Sequence, residues 1–209
     1  MHVLIVYAHP RAESYTRAVA RAYEAGVLEA GHSSEVADLY REGFEPRFDV
    51  ADYAQFQGLA LPGDVQAEQA RVDRADGLAL VFPIWWWSFP AILKGWIDRV
   101  FSEGWAYRFD PALSRGMLRD RPTTLFGIGA SRESTARRYR YADAMQTQIL
   151  TGMLGYCGLR NVDGHYLYDV DANDAARVAF LAHAERCGRE SFSLDRIARN
   201  ATTTSDRPA

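Results

Sequence analysis

The fold of this chain is constrained most by five short strand-like segments, two of them continuously apolar, separated by stretches of helical character. Residues 3–7, Val-Leu-Ile-Val-Tyr, are continuously apolar, the mark of a strand covered on both faces. Residues 77–82 read the same way, and residues 34–39, 123–128 and 162–168 read as three further strands. Helices are expected over residues 15–30, 65–75, 90–101, 141–156 and 174–194. The first carries Val19, Tyr23 and Val27 at helical spacing and stops at Gly31. Five strands alternating with five helical segments specify a doubly wound α/β sheet with right-handed crossovers. The order 2-1-3-4-5 follows, with a ligand crevice at the carboxyl ends of strands one and three. Residues 1–199 are expected to form a single domain, and the polar residues 200–209 a disordered C-terminal tail.

Composition narrows the function classes. A 209-residue chain with 48% hydrophobic and 24% charged residues suits one soluble domain with a sizeable core. A net charge of -3 leaves no electrostatic footprint for nucleic acid. No stretch approaches the length of a membrane span, and the N-terminus lacks the features of a signal peptide, so the expectation is a cytoplasmic protein without membrane insertion. Cys157 and Cys187 form no CxxC pair and are read as reduced thiols without partners at metal spacing; no metal is expected.

Two loops fall where such a sheet binds ligands. After strand one come His9 and the segment Arg11 to Thr16, at the start of a helix whose N–H groups and dipole favour an anion. Neither GxxxxGK[ST] nor GxGxxG is present, and Ser14 serves equally well as a plain helix cap. After strand three, Pro83 and Ile84 lead into Trp85, Trp86 and Trp87. Three successive side chains cannot all face one core, so Trp86 and Trp87 are assigned to the wall of a flat ligand, and Trp85 and Trp96 to packing. Residues 41–63 show no period and hold Phe44, Phe48, Tyr53 and Phe56, a long loop pinned by aromatics. Arg132, Arg137, Arg138 and Arg140 form either a solvated loop or a source of positive charge, for an anionic ligand ring or for phosphates.

The blocks AHPRAESYT, FPIWWWSFPAILKGWIDRVF and GWAYRF, in this order, resemble the NAD(P)H:quinone oxidoreductase family. This is the flavodoxin-like, FAD-dependent group that takes in DT-diaphorase, modulator-of-drug-activity proteins and ancillary subunits of potassium-efflux systems. The resemblance implies a flavodoxin-like fold and a homodimer with its active site at the interface. It implies FAD, with FMN possible, and NADPH or NADH as donor of a hydride passed to quinones or similar flat acceptors in a ping-pong cycle. It implies pyrophosphate and ribityl contacts from His9, Ser14, Tyr15 and Thr16, and ring contacts from Pro83, Ile84, Trp86 and Trp87, with Gly129 and Ala130 leaving room at the ring edge. Gln57 is matched by the resemblance to a flavin-contacting glutamine of the family. Tyr107 matches a tyrosine that crosses the dimer interface, and Trp87, Tyr107 and Phe109 would wall the substrate slot. After strand four the family reads T-T-G-G, then a tyrosine and a histidine; this chain reads Ile128-Gly129-Ala130-Ser131 and has no histidine between Ser131 and Tyr156. Tyr139 or Tyr141 is left to supply the tyrosine, and Tyr107 and Tyr141 are the catalytic candidates. Two rival readings share these motifs: an ancillary subunit docked on a potassium-efflux transporter, and a flavodoxin-type electron carrier.

Overall fold

A computed structural model of the chain describes residues 1–110, 115–171 and 174–193. The elements run β1 (His2–Tyr7), α1 (Tyr15–Glu29), β2 (Ser33–Asp38), a 3-10 helix (Val50–Gln57), α2 (Gly63–Arg74), β3 (Gly77–Pro83) and α3 (Ala91–Val100). A two-stranded ribbon follows, β4 (Tyr107–Arg108) and β5 (Arg115–Gly116). The chain continues through β6 (Thr123–Ile128), α4 (Glu133–Arg138), α5 (Tyr141–Met145), a π-helix (Gln146–Gly155), β7 (Val162–Leu167) and α6 (Asp174–Arg189).

The sheet has the order β2-β1-β3-β6-β7 with every neighbouring pair parallel. Counting only its own strands, this is the expected 2-1-3-4-5. Every residue of β3 and β6 is buried, as befits central strands covered on both faces. One face packs Leu4, Leu80, Phe82, Leu125 and Trp96 with α2, α3 and the π-helix region. The other packs Val3, Ile5, Ala79, Val81 and Phe126 under α1 and α6. The alternation of these residues along each strand is the period-2 rule at work. The α1–α6 crossing is close: a Cβ on Gly26 would strike the Glu185 carbonyl, and one on Gly188 the Tyr23 carbonyl.

Two elements depart from the sequence expectation. The β4–β5 ribbon falls in a stretch read as loop; Tyr107 pairs with Gly116 and Arg108 with Arg115. The single helix expected over residues 141–156 is a short α-helix that widens into a π-helix from Gln146, preceded by α4. The proposed tail at 200–209 lies outside the described residues.

The long loop after β2 is anchored by one buried cation. Arg99 of α3 donates from Nε to both carboxylate oxygens of Asp52 at 3.0 and 3.1 Å, and from Nη1 to Asp64 at 2.6 Å and the Glu45 carbonyl at 2.7 Å. Asp52 is fully buried, so the pair is fully desolvated on that side. Phe48, Tyr53 and Phe56 then pack edge to face on one another along this loop.

Candidate active site at the carboxyl ends of β1, β3 and β6

The first loop is locked by its own side chains. The Ser14 hydroxyl accepts the Arg17 N–H at 3.1 Å and shares a 2.9 Å hydrogen bond with the Tyr7 hydroxyl. Ser14 therefore caps α1, and the N–H groups of Tyr15 and Thr16 precede the first intrahelical bond. Thr16 is buried in the first turn. His9 accepts the Arg11 N–H on Nδ1 at 3.1 Å, which leaves the proton on Nε2 as a donor. Burial pushes the His9 imidazole below the ordinary histidine range, and the Arg11 charge pushes the same way. Arg17 pairs with Asp38 at 2.8 Å, so its charge is already partly answered. With Arg21, Tyr40 and Arg41 these residues line a groove beside His9. The Tyr15 side chain turns to α6: its hydroxyl donates to the Arg177 carbonyl at 2.6 Å, the Arg177 guanidinium lies 4.8 Å from its ring centre, and burial pushes its phenol up to about 12. Only its backbone faces the loop's anion position.

The third loop is built on strain. Trp85 and Ser88 exchange both backbone hydrogen bonds, at 3.2 and 3.1 Å, and close a tight turn around Trp86 and Trp87. Both central residues have positive φ, +51° and +59°. Tight hairpin turns of this kind usually place Asn and Gly there, because a side chain in the left-handed region costs on the order of 1–3 kcal/mol. Two tryptophans held so point to a function for their placement. Trp86 is 94% exposed. Trp87 packs against the core edge and stacks on Tyr141, with ring centres 4.0 Å apart and planes 17° from parallel. Tyr139 leans on Tyr141 in turn at 5.6 Å. The structure thus brings Trp87 and Tyr141 together across the third and fourth loops.

Several expectations are corrected. Trp96 is core, donating from its indole to Glu68 at 2.8 Å, whereas Trp85 is 41% exposed and does not fill the core. Pro83 has no N–H, and the Ile84 N–H donates to the Ile128 carbonyl at 2.7 Å, so neither offers a backbone donor to a ligand. Among the described residues, the turn's remaining N–H groups are those of Trp86 and Trp87. Gln57 is exposed at the end of the 3-10 helix, while the neighbouring Gln55 is buried and accepts the Glu103 N–H at 2.9 Å.

Gly129 and Ala130 continue β6 into the mouth of the crevice. A Cβ on Gly129 would make only ordinary contacts with Tyr168 and Ile84, so core packing does not demand glycine there. The arginine-rich segment is mostly a solvated surface: Arg137 pairs with Glu133 at 2.6 Å and Arg140 with Asp143 at 3.0 Å, all exposed.

Tyr107 and Phe109 stand apart from this crevice. They line a separate groove with Phe56, Glu103 and Tyr156 that includes no residue of the first, third or fourth loop. The Tyr107 ring lies 5.4 Å from Tyr156, and burial, then the Glu103 charge, pushes its phenol above the ordinary tyrosine range. Phe109 is 66% exposed and its N–H donates to Glu103 at 3.0 Å.

The sequence reading missed one constellation. Cys187 does have a partner at ligand spacing: His183 stands one helical turn before it on α6, and the fold brings His165 of β7 against both. The i, i+4 spacing on α6 was open to view in the sequence; His165 joins only through the packing of α6 on the sheet.

The crevice suits a flavin on the chemistry of its donors. A capped helix N-terminus and the His9 Nε2–H meet the needs of phosphate and ribityl oxygens. A side-chain-free Gly129 and a stacked indole at Trp87 meet those of a flat ring.

The family described as "Flavodoxin-like fold" matches residues 1–189. An "uncharacterized NAD(P)H oxidoreductase" of Haemophilus influenzae is 32% identical over 183 residues, covering 87% of this chain and 91% of the relative. The "ribosyldihydronicotinamide dehydrogenase [quinone]" of Rattus norvegicus is 30% identical over 181 residues, 76% of this chain and 77% of the relative. The solved "NAD(P)H:quinone oxidoreductase from Methanothermobacter marburgensis" superposes with a TM-score of 0.83 at 37% identity, covering 90% of this chain and 98% of that one. With sheet order, loop positions and relatives in agreement, the chain belongs to the flavodoxin-like family, among relatives named NAD(P)H oxidoreductases and quinone reductases.

Proposed function

We propose that this chain is a flavin-dependent oxidoreductase that passes a hydride from NADPH or NADH to a quinone or another flat aromatic acceptor. The observation that carries the reading is the pair of left-handed tryptophans at the end of β3, set beside the capped N-terminus of α1. The two-electron chemistry would be supplied by a bound flavin, FAD by resemblance, with FMN as the other candidate.

The chain's own residues would bind, orient and dry the site. His9 would donate from Nε2, and the Tyr15 and Thr16 N–H groups would point at phosphate oxygens. The Trp86 and Trp87 N–H groups would face the polar edge of the ring, where donors favour negative charge. Trp87 and Tyr141 would form one flat wall; because their rings already stack, a ligand ring must either extend that stack or displace Tyr141. Flat aromatic walls exclude water and read little substrate detail, so broad acceptor scope is expected. Tyr107 and Phe109, in their separate groove, would wall the substrate side of the crevice of a second copy in a homodimer. Among the described residues no helix is long and apolar enough to cross a membrane. The enzyme would act in the cytoplasm as one domain over residues 1–199.

The test is to release bound flavin by denaturation, identify it by chromatography, and follow NADPH oxidation with menadione. A yellow protein with menadione-dependent oxidation is expected. A colourless protein that neither reconstitutes with FAD or FMN nor oxidises NADPH or NADH would sink the reading. Sedimentation of the flavin-loaded protein should give a dimer.

A further inference from the structure

On the α1–α6 face of the sheet, one of the two cysteines and two of the five histidines converge. His183 Nε2 lies 3.0 Å from His165 Nδ1, and the Cys187 sulfur lies 3.4 Å from His183 Nε2 and 3.6 Å from His165 Nε2. One ligand atom from each residue can be chosen so that all three lie within 4.8 Å of one another. For a tetrahedral zinc ion with Zn–N near 2.0–2.1 Å and Zn–S near 2.3 Å, the ligand–ligand edges are about 3.3–3.6 Å. The 3.0 and 3.6 Å spacings run to different nitrogens of His165, and with one atom from each residue the three lie within 4.8 Å, close enough to form one face of that tetrahedron once the His165 ring presents a single nitrogen.

We propose that His165, His183 and Cys187 form a binding site for a zinc-type divalent transition ion, separate from the crevice at the carboxyl ends of β1 and β3. The donor set of two imidazoles and one thiolate suits zinc and excludes calcium and magnesium, which need oxygen ligands. All three residues are half-buried, which leaves a fourth position for water. Binding is written as a proton exchange: the Cys187 thiol loses its proton to solvent, the sulfur and one nitrogen of each neutral imidazole bond to the ion, and no electron moves. The hydrogen bonds that the three now share are given up in the exchange.

The surroundings hold the ligands where the ion needs them. His183 and Cys187 are four residues apart on α6 and so share one face of the helix. The glycine-mediated contact of α6 with α1 fixes the height of that face above the sheet. The Cys187 carbonyl accepts the Ser191 hydroxyl at 3.0 Å, which extends the order beyond the end of α6. The His165 ring lies stacked near Phe126, with centres 5.3 Å apart and planes 25° from parallel, and meets His183 edge-on at 4.6 Å. Only one nitrogen of His165 can ligate; Nδ1 now faces His183 and Nε2 faces Cys187, so the ring turns to present one of them to the ion. A bound ion would staple α6 to β7, the edge strand of the sheet, where only one neighbouring strand supports the backbone.

The experiment uses the full chain, stripped with a chelator and dialysed against zinc. Metal analysis should give one zinc per chain, and X-ray absorption at the zinc edge should show one sulfur at about 2.3 Å with nitrogen or oxygen at about 2.0–2.1 Å. Zinc should raise the thermal midpoint of the wild type. His183→Gln and Cys187→Ser should each weaken zinc affinity at least tenfold, and Cys187→Ser should lose the sulfur shell. His183→Cys keeps a ligand and should keep the zinc, as should His2→Gln and His32→Gln, which lie elsewhere. The proposal fails if the wild type holds no zinc after dialysis, if its zinc shows no sulfur neighbour, or if His183→Gln and Cys187→Ser bind as the wild type does. Flavin content does not enter any of these readouts, so the outcome is independent of the crevice.

Discussion

The two loops that meet at the ends of β1 and β3 are built in opposite ways. The first is locked: Ser14 caps α1, Tyr7 holds Ser14, and His9 is fixed by the Arg11 N–H. Ser14 and Arg17 are engaged within the protein, and what the loop offers a ligand is backbone N–H, one imidazole N–H and the exposed Arg11. The third loop is strained: two tryptophans sit at positive φ, one of them almost wholly exposed, closed by a single pair of backbone hydrogen bonds. What it offers is aromatic area. The contrast separates two tasks. An anion is held best by donors fixed before it arrives, whereas a flat ring needs a surface that the core has not consumed.

If that contrast is right, substitutions in the two loops should move stability and ligand affinity in different proportions. The largest effect is expected from Trp87→Ala, which removes the stacked wall. Flavin affinity per folded molecule, measured by fluorescence titration, should fall roughly thirtyfold, or about 2 kcal/mol. An unchanged affinity would show that the ring lies elsewhere. Ser14→Ala comes next. Loss of the cap and of the Tyr7 partner should cost about 1–2 kcal/mol in denaturant unfolding, in apo and loaded protein alike. Trp86→Gly should have the reverse sign. Glycine relieves the left-handed strain at an exposed position, so the apo fold should gain about 0.5–1 kcal/mol while turnover with menadione drops. A loss of stability would mean that the turn is not strained at Trp86.

The smallest effect concerns pH. His9 has its folded pKa below its unfolded value, so below about pH 6.5 the unfolded chain binds more protons than the folded one. Stability should therefore fall as pH drops through the window beneath the ordinary histidine pKa. His9→Gln should flatten that part of the curve in the apo protein, read as urea midpoint against pH. A bound phosphate would favour the imidazolium and shrink the difference, which ties the slope to occupancy of the first loop.

Much of the frame was legible in the sequence because it follows period and burial. The apolar runs in β1 and β3 are continuous since those strands are covered on both faces, and the sheet order came with the alternation of strands and helices. The β4–β5 ribbon was not legible, since two-residue strands carry no period. Nor was the π-helix at Gln146–Gly155, whose widened winding leaves the apolar spacing of an ordinary helix. The third loop shows a sharper limit. Residue type argues against positive φ at Trp86 and Trp87, so the feature that distinguishes the site contradicts the local rule. Tyr107 and Phe109 were expected on the substrate side, but their placement in a groove of their own depends on the Arg99-anchored loop folding beneath them.

That anchor has a further consequence for how this face fluctuates. Arg99 ties α3 to Asp52, Asp64 and the Glu45 carbonyl, and Gln55 ties the same loop to Glu103. Opening the loop alone would take the buried Asp52 carboxylate and the Glu45 carbonyl from Arg99 and leave that buried guanidinium with Asp64 of α2. In hydrogen-exchange terms, the amides of residues 52–57 should therefore open together with α3 as one cooperative unit. A long surface loop without strands would then show the slow exchange of core helix, and the aromatic groove resting on Phe56 would behave as a fixed floor.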